Sequence, residues 1–204
     1  RPGTKSIPHY LKNLGYRVGQ CGKKHVVPEP SFPFEQVHGI EGGCVHPDPE
    51  FGTDGIREFI NRDKDQPFFL STGLFEPHSP WTLGNPEHFD TGALKLPPNM
   101  ADTEETRKDY AKYLAEIEVL DREIGEILQV LEESGQADNT LVMFSSEQGA
   151  QFPGCKWTNW NTGVHTGFVV RWPGHVEPGR STDAMIQFAD ITPTWIKAAG
   201  GDPD

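Results

Sequence analysis

Cysteine is scarce in this sequence of 204 residues, and long apolar segments are missing. The three cysteines, Cys21, Cys44 and Cys155, are far apart and form no Cys-x-x-Cys pair. An odd number leaves at least one thiol unpaired, which argues against a disulfide framework, and the spacing argues against a zinc cluster. A single disulfide remains open as an alternative. No stretch of the sequence is long and apolar enough to span a bilayer as a helix.

Positive charge is also in short supply. Lys and Arg number 18 against 30 Asp and Glu, which gives a formal net charge of -12 at pH 7. Such an acidic chain is a poor overall partner for nucleic acid or for an anionic membrane, and we expect neither partner. If the substrate is an anion, a local basic pocket must attract it against the field of the whole protein.

The clearest predicted element is a long helix over residues 103–134. Asp102 or Thr103 can cap its start, and Gly135 stands where a helix end favours glycine. Apolar side chains recur in steps of three and four and predict one buried stripe, formed by Tyr110, Tyr113, Leu114, Ile117, Leu120, Ile124, Ile127, Leu128 and Leu131. The acidic residues of the other face are expected to be solvated, namely Glu116, Glu118, Glu123 and Glu126.

Short apolar runs alternate with shorter helices along the rest of the chain. Strands buried on both faces are expected over residues 68–72, 140–145 and 168–172, and another strand is expected near residues 16–18. Helices are expected over residues 7–14, 52–61 and 191–199. This alternation predicts an α/β fold with a mostly parallel sheet and helices on both faces.

Polar side chains follow three of the predicted strands at the point where each strand ends. In parallel sheets of this kind, ligands bind beyond the carboxyl ends of the strands. We therefore expect one site built from six residues, which in chain order are Lys23, His25, His78, Glu147, Gln148 and Lys156.

The residue types at these positions suit an anionic substrate. Lysine provides a compact positive charge and imidazole a directed donor or general acid, so the two lysines and two histidines would form a pocket for sulfate or phosphate. Glu147 and Gln148 offer adjacent oxygen donors of the kind preferred by Ca²⁺ or Mg²⁺. An ordinary turn after a strand is the alternative for this pair. Structural or solvated roles are expected for His9, His38, His46 and His88, and for Lys12, Lys24 and Lys112.

Five motifs follow one another along nearly the whole chain. They are Gly15-Tyr16-Arg17-Val18 with Gly22-Lys23-Lys24-His25, Pro67-Phe68-Phe69-Leu70 with Glu76-Pro77-His78-Ser79-Pro80-Trp81, the segment from Asp138 to Gly149, the segment from Phe152 to Trp160 with that from Val169 to Gly174, and Asp190-Ile191-Thr192-Pro193-Thr194. In this order they resemble the type I sulfatases of the alkaline phosphatase superfamily. Gln151-Phe152-Pro153 and Lys156 look closest to the heparan N-sulfatase-like branch.

The resemblance implies roles for the six candidate residues. Lys23 and Lys156 would bind the sulfate oxygens, and His25 would contact the nucleophile. His78 would lie at the leaving-group side, where it would bind sulfate or assist proton transfer. Two ligands of Ca²⁺, with Mg²⁺ as the alternative, are implied at Glu147 and Gln148. The family more often has Asp followed by Asn or His there, and the two side chains of this chain are one methylene longer than Asp and Asn.

The family's nucleophile is a formylglycine, made from Cys or Ser in a Cys/Ser-x-Pro-x-Arg motif. No residue of this sequence stands in that context. We expect the motif and an earlier pair of Asp ligands to precede Arg1, and the family's C-terminal subdomain to follow Asp204. Residues 1–204 are then the central part of a sulfatase catalytic domain, and by themselves are expected to be inactive.

The implied activity of the parent protein is hydrolysis of a sulfate ester or a sulfamate. A sulfated sugar is the expected substrate, and the resemblance implies an exported parent, periplasmic or secreted. Two alternatives stay open. One is a phosphodiesterase or phosphonate hydrolase of the same superfamily, and the other is a non-catalytic binder of sulfated glycans.

Overall fold

The chain forms two compact units in a computed structural model that describes residues 3–42 and 50–203. The first unit comprises Arg1–Glu41, Glu50–Leu74 and Gly179–Asp204, and the second comprises Gly42–Pro49 and Phe75–Pro178. Cys44 and His46 lie outside the described residues. Cys21 and Cys155 are buried free thiols. Within the two described ranges, no helix has both the length and the apolar character needed to cross a membrane.

The first unit contains a parallel sheet. The strands of the first unit, in chain order, are β1 (Arg17–Gly22), β2 (Glu35–Val37), β3 (Ile40–Glu41), β4 (Glu50–Phe51) and β5 (Phe68–Gly73). The sheet has the order β2-β1-β5, and both pairings are parallel. β3 and β4 form a separate antiparallel pair. The predicted α/β fold with a parallel sheet is confirmed, although β5 is an edge strand of this sheet and its apolar residues are only half-buried.

Four of the helices are the ones expected from the sequence. The described helices are α1 (Ile7–Asn13), α2 (Asp54–Asn61), α3 (Glu104–Glu133), α4 (Asn161–Val164) and α5 (Ile191–Ala198). α1, α2, α3 and α5 lie within two residues of the predicted bounds, and α4 is too short to produce a periodic signal. α1, β1 and α5 share a core cluster formed by Ile7, Leu11, Val18 and Ile196.

A buried cation joins β1 to the end of α2. The Arg17 guanidinium donates to the carbonyl of Asp63 at 2.6 Å, of Gln66 at 3.2 Å and of Phe59 at 3.3 Å. Carbonyls at the end of a helix lack intrahelical partners and carry partial negative charge, so a guanidinium satisfies both needs. Arg17 therefore fixes the chain between α2 and β5, which starts beside β1 with Arg17 paired to Phe68.

The second unit contains α3 and a strand pair that differs from the prediction. β6 (Val142–Ser145) and β7 (Phe168–Arg171) are antiparallel, with Val142 opposite Arg171. A parallel link requires a long crossover, usually through a helix, but the loop between these strands folds back on itself. The backbone N–H of Ser146 donates to the Gly167 carbonyl at 3.1 Å, which closes the loop at its base.

The expectation that these two strands are buried on both faces is also wrong. Phe144 is 36% exposed and Val169 is 62% exposed. An apolar run with β-branched residues indicates a strand, but composition alone does not say which other segments cover its two faces.

Helix α3 has the predicted caps but buries a different face. The Thr103 hydroxyl accepts a hydrogen bond from the Thr106 N–H at 3.1 Å, and Gly135 has a φ of 74°. The predicted stripe is mostly half-buried, whereas the fully buried residues are Ala111, Ala115, Glu116, Val119, Glu123, Val130 and Leu131. The prediction of solvated surface is therefore correct for Glu118 and Glu126 and wrong for Glu116 and Glu123. Alanine adds little to an apolar pattern, so the face that it marks was overlooked.

Candidate functional site

Lys23 and His25 follow β1 at the carboxyl edge of the parallel sheet in the first unit. The Lys23 N–H donates to the Gly73 carbonyl at 2.8 Å, and the buried Gln20 amide donates to the Lys23 carbonyl at 3.1 Å. Gly22 has a φ of 79°, and a Cβ there would lie 2.2 Å from the Gly73 oxygen. The backbone is thus held closely where β1 and β5 end. The Lys23 side chain is half-buried and His25 is exposed.

His78 lies in a turn at the start of the long segment of the second unit. The peptide bonds Glu76-Pro77 and Ser79-Pro80 on either side are both cis. The His78 N–H donates to the Phe75 carbonyl at 2.9 Å, and Nδ1 lies 2.7 Å from the Ser79 carbonyl oxygen. Because a carbonyl can only accept, Nδ1 carries a proton, and the protonation of Nε2 decides whether the imidazole is neutral or charged.

Glu147, Gln148 and Lys156 share the loop that connects β6 to β7. Gln148 Nε2 donates to Glu147 Oε2 at 3.5 Å, and the Lys156 N–H donates to the Ala150 carbonyl at 3.0 Å. Lys156 Nζ lies 5.4 Å from the centroid of the Trp157 ring, within the range of a cation–π contact. The loop packs closely on itself, since a Cβ on Gly149 would lie 1.9 Å from the carbonyl oxygen of Thr162.

The oxygens of Glu147 and Gln148 fit part of a calcium site. Calcium takes roughly six to eight oxygen ligands, and a carboxylate beside an amide carbonyl supplies two donors of the right kind. Across residues 3–42 and 50–203, no group of three or more His, Cys, Asp or Glu side chains is arranged to hold a metal ion. The described residues therefore do not complete a metal site, and the assignment of these two ligands stays a prediction.

An aromatic cluster packs residues 75–84, called the His78 turn, against residues 146–167 between β6 and β7, called the Lys156 loop. Trp81, which closely follows His78, stacks on Phe152 with ring centroids 4.7 Å apart. Tyr113 of α3 lies edge-on to both rings, at 5.8 Å from Trp81 and 5.6 Å from Phe152. The structure therefore packs the segments that carry His78 and Lys156 against each other and against α3. Lys23 and His25 belong to the first unit, and their place in the same site stays a prediction.

Three buried acids beside the His78 turn were missed by the sequence analysis. Glu76 is 8% exposed, Glu116 2% and Glu123 3%. Burial raises the pKa of Glu116 to about 7, although backbone N–H groups of Leu83 and Thr82 oppose the shift. Ala111 and Ala115 lie one helical turn apart on the face of α3 that carries Glu116 and Glu123. Small residues at this spacing are a sequence signal that could have identified the buried face.

Glu123 is the more strongly perturbed of the two helix acids. Burial raises its pKa to about 8, and the neighbouring charge of Glu76 and a hydrogen bond with the Glu76 side chain act in the same direction. Two carboxyl groups form such a hydrogen bond only when one of them keeps its proton. The raised pKa of Glu123 therefore favours its protonated form at neutral pH, in which Glu123 donates to Glu76.

The first unit, a parallel sheet packed with helices and carrying Lys23 and His25 directly after β1, defines an α/β protein. The model of the sulfatase family matches residues 1–201, so the chain belongs to the sulfatase family. The chain is 28% identical to human N-sulphoglucosamine sulphohydrolase over 95% of its own length and 44% of that protein. It thus spans less than half of this curated relative.

Solved structures share the fold. BT4656, solved in complex with its substrate D-glucosamine-2-N,6-O-disulfate, superposes with a TM-score of 0.79 at 19% identity and covers 99% of this chain and 62% of that one. Phosphonate monoester hydrolase from Silicibacter pomeroyi superposes with a TM-score of 0.67 at 18% identity and covers 98% of this chain and 58% of that one. At these identities the likeness establishes the fold and leaves the substrate open.

Proposed function

We propose that residues 1–204 form the central part of a catalytic domain that hydrolyses sulfate esters or sulfamates. The observation that carries the proposal is the stacking of Trp81 on Phe152, which packs the segments bearing His78 and Lys156 together in a member of the sulfatase family. A cation and a directed imidazole near one point can hold a tetrahedral anion and protonate the group that leaves it.

In this proposal Lys156 and Lys23 bind the non-bridging oxygens of the sulfate and neutralise charge that grows on them during transfer. His25 contacts the nucleophile. A formylglycine elsewhere in the protein would supply the attacking oxygen. Glu147 and Gln148 would hold Ca²⁺, or Mg²⁺ as the alternative, as two of several ligands.

His78 acts on the leaving group. When the bond from sulfur to the ester oxygen or sulfamate nitrogen breaks, the departing atom takes the electron pair and needs a proton. The hydrogen bond from Nδ1 to the Ser79 carbonyl orients the ring, so that the imidazolium donates its proton from Nε2. The ring becomes neutral in that step and regains a proton before the next turnover.

A sulfated sugar is the proposed substrate class. The human relative is N-sulphoglucosamine sulphohydrolase, and the sequence region around Lys156 resembles the same branch. This supports a sulfamate on glucosamine as the first substrate to be tried.

The test compares sulfate release by the full-length protein from N-sulfated glucosamine and from an aryl sulfate, with an aryl phosphate diester as the competing substrate. His78→Gln and Lys156→Ala are each expected to lower kcat/KM by about 10²- to 10³-fold. The matched controls are His88→Gln and Lys112→Ala, which remove exposed side chains paired with Glu118 and Asp109.

Each alternative predicts a different result in this assay. Faster cleavage of the phosphate diester supports the phosphodiesterase reading, for which the shared fold with a phosphonate monoester hydrolase is the specific observation. Binding of a sulfated oligosaccharide without product release supports a glycan-binding protein. The 204-residue chain alone is expected to show negligible turnover, and robust sulfate release by it would overturn the proposal that the nucleophile lies elsewhere.

A further inference from the structure

The His78 turn is attached to α3 on its C-terminal side through Glu116. One oxygen of this carboxyl group, Oε1, accepts from the Thr82 N–H at 2.8 Å and from the Leu83 N–H at 3.3 Å. The chain then passes directly over the helix, since a Cβ on Gly84 would lie 2.5 Å from the Ala115 carbonyl oxygen. This side of the turn is therefore held by a buried side chain and by close backbone packing.

On its N-terminal side the turn is attached through a second acid. Glu76, two residues before His78, is buried and hydrogen-bonded to Glu123. Glu116 and Glu123 are two helical turns apart, about 10 Å, on the buried face of α3. His78 thus lies between two attachments to one rigid helix, and both attachments are carboxyl groups.

The surroundings favour a proton in this cluster. The charged groups that act on Glu123 are Glu76, Arg122 and Glu126, and the one cation among them, Arg122, is exposed and paired with Glu126 at 3.6 Å. A buried carboxylate without a close cation is costly, whereas a protonated carboxyl group can donate to its neighbour. The raised pKa values of Glu116 and Glu123 agree with this arrangement.

We propose that Glu116 and Glu123 are positioning residues for His78, and that a proton shared by Glu76 and Glu123 keeps the turn attached to α3. The catalytic role of His78 rests on the proposed function. The test therefore measures the attachment of the turn to α3 separately from activity. When the shared proton is lost, two buried carboxylates face each other, and the N-terminal side of the turn moves away from the helix.

The first measurement is hydrogen exchange of the segment 75–84 in the full-length protein from pH 6 to pH 9, corrected for the intrinsic rate. The wild type is expected to lose protection by at least about tenfold over this range. In Glu123→Gln, the amide donates to the Glu76 carboxylate without needing a shared proton, so protection is expected to persist at pH 9. Glu105→Gln, at an exposed position in the first turn of the same helix, should behave like the wild type.

The second measurement follows the imidazole of His78 by NMR, together with the pH profile of kcat where turnover is found. Glu123→Gln should extend the alkaline limb of kcat to higher pH, whereas Glu123→Ala should lower kcat at every pH with little change in KM. If Glu123→Ala fails to fold, the comparison of Glu123→Gln with the wild type still decides the question.

Two results would overturn the proposal. One is constant protection of the segment 75–84 in the wild type from pH 6 to pH 9, and the other is a Glu123→Gln variant that loses protection in parallel with the wild type. An absence of turnover on every sulfated substrate would count against the proposed function alone, because the exchange measurement does not depend on catalysis.

Discussion

Replacing Glu116 by glutamine should make the protein more stable at alkaline pH. The amide of Glu116→Gln keeps an oxygen that can accept from the Thr82 and Leu83 N–H groups, and it carries no charge at any pH. In the wild type, burial raises the pKa of Glu116 from 4.5 to about 7, because the carboxylate is disfavoured inside the protein. The variant removes this penalty while keeping the size and the acceptor of the side chain.

The sign of the effect follows from proton linkage. Between pH 4.5 and pH 7 the folded state holds a proton on Glu116 that the unfolded state has lost, so the free energy of unfolding falls as pH rises through this window. The contribution is complete below the unfolded pKa and is lost once pH exceeds the folded pKa. From pH 5 to pH 8 the loss amounts to about 2 to 3 kcal/mol, since one pKa unit corresponds to about 1.4 kcal/mol.

Urea unfolding of wild type, Glu116→Gln and Glu126→Gln at pH 5, 6, 7 and 8 measures this contribution. The difference in free energy of unfolding between Glu116→Gln and wild type should grow by about 2 to 3 kcal/mol over the range, in favour of the variant. Glu126 is exposed, so its variant should follow the wild type within about 0.5 kcal/mol. Parallel pH profiles of Glu116→Gln and wild type would refute the argument from burial.

Three further predictions concern the fold, the packing of the site and the metal. Arg17→Ala should destabilise the protein by about 3 kcal/mol in urea unfolding, because several buried carbonyls lose a charged donor; a loss below about 1 kcal/mol would contradict this. Trp81→Ala should cost about 3 to 5 kcal/mol and lower sulfate release, because it removes the ring stacked on Phe152; unchanged stability would argue against the packing. Calcium at one hundred times its Kd should stabilise the full-length protein by about 2.7 kcal/mol. Measured as a rise in Tm on adding calcium, this stabilisation should be lost in Glu147→Ala and retained in Glu126→Ala. An equal rise in both variants would show that Glu147 is not a ligand.

The sequence predicts the regular elements better than it predicts their environment. The long helix was located to within one residue at each end, because Thr103 and Gly135 give capping signals that depend on local geometry alone. The parallel pairing of β1 with β5 follows from alternation of strands and helices. The pairing of β6 with β7 was not predictable in this way, because it depends on a loop that closes through a backbone hydrogen bond from Ser146 to Gly167.

The candidate site was predictable where residue type alone carries the chemistry. His78 and Lys156 are predicted because imidazole and ammonium groups suit an oxyanion. The structure packs the segments that carry them together, and their role in one site stays a prediction. Glu116 and Glu123 were missed because a glutamate on a helix is usually exposed, and only the tertiary fold reveals that another segment covers it. Groups whose role depends on burial cannot be recognised from a one-dimensional pattern.

The buried acids also bear on how an acidic protein can attract sulfate. The formal net charge of -12 counts every Asp and Glu as ionised. With Glu116 and Glu123 protonated the net charge becomes about -10, and both lost charges lie on the helix that carries the His78 turn. A neutral carboxyl group there leaves the positive charge of Lys156 and of an imidazolium less opposed, in an interior where screening by salt is weak. Inhibition by inorganic sulfate should therefore weaken between pH 7 and pH 9 in the wild type. It should weaken less in Glu123→Gln. If the inhibition constant has the same pH profile in wild type and in Glu123→Gln, the buried acids have no influence on anion binding.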